Sequence, residues 1–192
     1  MNYLSSIISF APKIVLGFVF SLGFFRHLFR RQSGYKSLII VLIASRIFYA
    51  IFLTVNQYYA WLQNDVTKLL LNSRRYFLFY AYGRFWLNLF ITVGVAFAFY
   101  LFLKFLKKYK ERFFEEGETE IGLLTALLVG WPNFVIFVPL VFVSVVLFSI
   151  FRGIFFKKAY TTLGWPFFLA AFLTLIWGNW LIQVLRLGVL IV

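Results

Sequence analysis

Long apolar runs separated by short basic segments dominate the chain. The first run covers residues 4–25, and Arg26, His27, Arg30 and Arg31 follow it. A cleaved leader would end in a small-residue site; none follows here, so the run is expected to stay as a membrane helix. Pro12 predicts a kink near its start, and Lys13 is placed to snorkel to the surface. A second run, 37–62, carries Arg46 and ends in the polar-aromatic stretch NQYYAWLQND. Residues 85–106 form another span, closed by KKYKERFFEEGETE, the one strongly polar segment.

Residues 121–151 are apolar for about 31 positions, or about 46 Å of helix, against a hydrocarbon core of roughly 30 Å. Gly130-Trp131-Pro132-Asn133 divides this run into a short helix at 121–130 and a span at 134–151. The last span covers 163–185, with Pro166 near its start. Residues 66–83 are apolar at both ends but carry Asn72-Ser73-Arg74-Arg75 in the middle, which leaves a sixth or re-entrant crossing open. The pattern predicts an all-α, polytopic helical membrane protein with five clear spans, in one domain over 1–192.

Composition agrees. The 192 residues are 63% hydrophobic and 13% charged, where soluble domains carry about 25% charged residues. The net charge of +13 does not point to nucleic acid, because Lys and Arg lie mostly between apolar runs. There they anchor loops and meet anionic lipid headgroups. The basic loops at 26–36 and 104–112 are expected in the cytoplasm; those at 68–75 and 152–158 carry fewer charges. With no Cys and a single His, thiol chemistry, iron–sulfur clusters and multi-histidine metal or haem sites are excluded. No metal or cofactor is expected.

Asp65 is the only aspartate, and the five glutamates fall together as Glu111, Glu115, Glu116, Glu118 and Glu120. Such carboxylates can move protons or hold a hard cation. They can equally balance Lys107, Lys108, Lys110 and Arg112 in a solvated loop. Arg46 and Arg84 lie in or beside apolar spans, where a cation either faces an interior or cavity or snorkels to an interface. His27, in a basic loop, is expected to be solvated. The breaks at 130–132 and 164–166 suit a re-entrant site or ordinary helix ends.

The segment EEGETEIGLLTALLVGWP (115–132) resembles the second active-site region of prepilin leader peptidases, membrane aspartic proteases of type IV pilus systems. Aligning Gly130, Trp131 and Pro132 with that family's break sets Glu115-Glu116-Gly117-Glu118 on its Gly-x-Gly-Asp motif, with Glu120 just beyond. The resemblance continues through Leu163-Gly164-Trp165-Pro166-Phe167-Phe168 and Ile176-Trp177-Gly178, and covers roughly residues 37–185. It implies Glu118 at the second catalytic aspartate position and Asn56 at the first, with Asp65 as the alternative first acid. It also implies a bacterial or archaeal cell membrane, and a prepilin-like transmembrane helix as partner.

Aspartic proteolysis needs two carboxyl groups sharing a proton. Asn56 cannot ionise, and the extra methylene of Glu118 displaces its carboxyl by about 1.5 Å, where about 1 Å can cost on the order of 100-fold. Three functions follow. The first is a divergent peptidase-like protein without normal proteolysis that binds membrane helices. The second is an active endopeptidase using Glu118 with Asp65. The third is a structural subunit of a larger membrane complex or a small transporter.

Overall fold

The computed structural model describes residues 2–29, 34–71, 74–109, 114–156 and 162–190. They are helical, with no strand among them. The helices are α1 (Asn2–Leu28), α2 (Tyr35–Leu62), α3 (Asp65–Leu71), α4 (Arg74–Ala81), α5 (Leu87–Tyr109), α6 (Glu118–Val129), α7 (Phe134–Phe156) and α8 (Gly164–Val184). A π-helical turn, Tyr82–Trp86, joins α4 to α5, and a 3₁₀ turn, Leu187–Leu190, follows α8. Four helical segments are long and apolar enough to cross a bilayer: Tyr35–Leu62, Arg75–Tyr109, Phe134–Phe155 and Gly164–Val184. They mark an integral membrane protein.

Among the described residues, 66–83 make no helix of their own long enough to cross a bilayer. Their first part belongs to α3, and their second part, α4, runs through the π turn into α5 as one 35-residue helical segment. Polar residues at 72–75 interrupt the apolar run, while the turn at 82–86 keeps the chain helical. The polar-aromatic end of α2 packs on α4 instead, through Trp61, Phe77 and Ala81.

The centre of the bundle is α6, with ten of its twelve residues buried. A helix surrounded by neighbours on all sides has no reason to be amphipathic, and α6 is apolar all round beyond its first turn. It starts three residues before the expected helix at 121–130, because Glu118, Thr119 and Glu120 form its first turn. Leu124, Leu127 and Leu128 pack with Leu42 of α2 and with Phe137, Phe167, Phe168 and Ala171 of α7 and α8. Gly122 lies against Leu103 and Phe167, and a Cβ there would overlap a Leu103 methyl. Small residues of this kind let membrane helices approach closely.

α6 stops at Gly130, whose backbone (φ 67, ψ 175) is one that only glycine adopts readily. Trp131 and Pro132 turn the chain, and α7 begins with amide bonds back to Gly130, Pro132 and Asn133. Asn133 packs on Gly178, near the end of α8. Gly164, at the start of α8, touches Glu118 at the start of α6. α7 therefore runs back along α8, and its last residues return to the end of the bundle where α6 begins. Arg26 bonds to the Gly34 carbonyl at 2.6 Å, which sets the end of α1 and the start of α2 at that same end.

Candidate functional site

Glu118 opens α6 and is 2% exposed, the most buried charged residue in the described structure. Gly117 takes a left-handed conformation (φ 85) as the residue before the helix. That bend turns Glu115 back over Glu118, so that Glu118 Oε2 accepts from the Glu115 amide at 2.9 Å. Its Oε1 accepts from the Gly164 amide at 2.8 Å. The carboxyl thus joins the Glu115 amide of the loop before α6 to the first amide of α8 and ties the start of α6 to the start of α8.

Burial pushes the Glu118 carboxyl up to about 7, and the Glu115 and Gly164 amides hold it back from rising further. Near neutral pH this one group exchanges a proton. The carboxyl of Glu115 acts on it as a like charge. Glu115 and Glu116 are exposed, and Glu120 accepts from the Thr119 hydroxyl at 2.8 Å. Glu111 lies outside the described residues.

His27 is not a solvated loop residue. It sits in the last turn of α1, with its ring 5.0 Å from that of Trp165 and 5.5 Å from that of Phe168. It lies directly on Gly164, so that a Cβ there would overlap the imidazole. Burial lowers its pKa, with Glu115 pulling the other way. Its Nε2 is buried without a hydrogen-bond partner. His27 and Glu118 therefore converge on one residue, Gly164. The sequence signal for this was slight: a lone His among arginines, far from the glutamates in the chain.

Asn56 and Asp65 are not brought to Glu118. α2 starts at the Glu118 end, and its Arg46 side chain reaches the carbonyls of Leu127 and Leu128 at the far end of α6. Asn56 lies ten residues further along α2. Counting along both helices puts it about 28 Å from Glu118. Asp65 opens α3, beyond the end of α2, and is exposed. Asn56 Nδ2 is buried and has no hydrogen-bond partner. A shared proton needs direct contact between two carboxyl groups, and this geometry provides none between Glu118 and either residue. The expected break residues Gly130, Trp131 and Pro132 mark the end of α6, where the Trp131 amide donates to Thr92 Oγ1 at 3.0 Å.

No group of three or more His, Cys, Asp or Glu among the described residues could hold a metal ion. In comparisons with known proteins the chain matches no family model, no curated protein and no solved structure.

Proposed function

We propose that this is a non-proteolytic integral membrane protein, divergent from the prepilin peptidases it resembles in sequence, which binds a prepilin-like or other membrane helix without cleaving it. Its proposed setting is a bacterial or archaeal cell membrane. One observation carries the reading: the carboxyl at the motif position, Glu118, spends both oxygens on backbone amides, that of Glu115 in the preceding loop and that of Gly164 at the start of α8. That is the work of a fastener. A protease would keep its carboxyl free to hold water with a second acid. The reading in which Glu118 works with Asp65 draws no support from the arrangement, since Glu118 opens α6 while Asp65 opens α3, beyond the far end of α2.

The test uses the full chain in membranes with candidate prepilin-like substrates. The expected result is no cleavage, no change on Glu118→Gln or Asp65→Asn, and co-purification of the uncleaved helix. Cleavage that both substitutions abolish overturns the proposal in favour of an active endopeptidase. Failure to retain any such helix, with stable co-purification in an unrelated complex, overturns it in favour of a structural subunit.

A further inference from the structure

α1, α2 and α5 are long, whereas α6 ends at Val129. Beside Arg46, whose side chain reaches the end of α6, a cavity of about 570 Å³ opens between Pro12 and Val15 of α1, Arg46 and Leu53 of α2, and Arg84 and Asn88 on the other side. This volume falls in the range of about 300–1,000 Å³ typical of sites for small organic ligands. The walls are mainly aliphatic and aromatic, and none of the lining residues is acidic.

Two arginines in an apolar cavity need an explanation. Arg46 sits inside a membrane-crossing helix. Its Nη2 donates to the Leu127 and Leu128 carbonyls, at 2.7 and 3.3 Å. The end of a helix offers only about half a negative charge. The guanidinium therefore keeps a net positive field, and its Nε is buried without a partner. Arg84 adds a second full charge to the cavity. It sits on the π-helical turn Tyr82–Trp86, a distortion frequent at functional sites. Neither lining charge has a carboxylate beside it in the cavity wall.

We infer that this cavity binds an amphiphile whose single phosphate or carboxylate head meets Arg46 and Arg84 while its hydrocarbon tail lies along the apolar wall. Arginine suits that head because its planar fork matches phosphate and carboxylate oxygens and stays charged at any physiological pH. An apolar tail suits the rest of the wall, and the ligand would supply the anion that the protein lacks there. A membrane phospholipid and a free fatty acid share this chemistry.

The experiment takes the purified, delipidated full chain and measures binding by native mass spectrometry and thermal shift. The probes are dioleoyl phosphatidic acid, dioleoyl phosphatidylglycerol, oleate, dioleoyl phosphatidylcholine and inorganic phosphate. The expected result is retention of one anionic amphiphile, at least about tenfold tighter than phosphatidylcholine. Preference for the phospholipids over oleate, or the reverse, names the source. Arg84→Gln, at an exposed position outside the α6 cap, is expected to weaken binding about tenfold with unchanged helicity. Leu53→Trp is expected to block all amphiphiles by filling the space. Equal binding of phosphatidylcholine, equal stabilisation by inorganic phosphate alone, or binding indifferent to both substitutions overturns the inference.

Discussion

Arg46, in the second helix, caps the end of the sixth by donating to the Leu127 carbonyl at 2.7 Å, across 81 residues of sequence. The contact explains why a membrane-crossing helix tolerates an arginine. A cation at the C-terminal end of a helix meets unpaired carbonyls and the negative end of the macrodipole. In exchange, α6 can stop inside the bundle.

Removing that cap leaves buried carbonyls unpaired. Arg46→Leu is expected to destabilise the folded protein by about 1–3 kcal/mol, seen as a lower unfolding midpoint in detergent. Arg46→Lys keeps the charge but loses the planar fork, so its loss should be smaller. A midpoint for Arg46→Leu equal to that of the parent would remove the cap from the account of α6.

Glu118 makes stability depend on pH. Its carboxyl titrates at about 7 when folded and at 4.5 in its ordinary state. The folded form therefore holds the proton more tightly, and unfolding releases it between those values. The contribution is fully present below about 4.5 and is lost as pH rises through about 7, by about 3 kcal/mol in all. His27 works in the opposite direction below its ordinary value of 6.5, because burial lowers its pKa. Glu118→Gln isolates the carboxyl: its midpoint should change less between pH 5 and pH 8 than that of the parent. Parallel pH profiles for the two proteins would contradict the assignment.

Glycines separate strained from open positions. Gly130→Ala places a side chain at φ 67, with its Cβ 2.9 Å from Arg46 Nη2; a cost of about 1–3 kcal/mol is expected. Gly164→Ala drives a methyl into the His27 ring and should cost a similar amount. Gly153 has nothing near its absent Cβ, so Gly153→Ala should be neutral or gain up to about 1 kcal/mol of helix propensity. Thermal unfolding of the three variants checks the order.

The chain contains no cysteine, so single cysteines can report its sidedness. Lys36→Cys, Lys108→Cys and Gly153→Cys should react with an impermeant thiol reagent from one side of the membrane. Lys68→Cys should react only from the other. Labelling of Gly153→Cys together with Lys68→Cys would show that α7 does not return to the α6 start.

Much was legible in the chain. An apolar run longer than the hydrocarbon core, with a Gly-Trp-Pro-Asn break inside it, divides at that break, where Gly130 leaves the helical conformation and Pro132 has no amide N–H to continue the ladder. The chain predicted a helical membrane protein and the short helix before residue 130. Three things depended on packing. Residues 66–83 divided between α3 and α4, because the π turn carried α4 into α5. His27 came to Gly164, because the end of α1 and the start of α8 lie at one level of the bundle. Asn56 and Glu118 moved apart, because α2 and α6 start at the same end. Helix periodicity is set within a few residues, by covalent geometry and local hydrogen bonds. Which residues of two helices meet is set by side chains filling shared space, often from distant parts of the chain. Local patterning therefore reached as far as the class of protein and most of its helices, while long-range packing brought Glu118 and His27 to the two sides of Gly164 and two arginines to an apolar cavity.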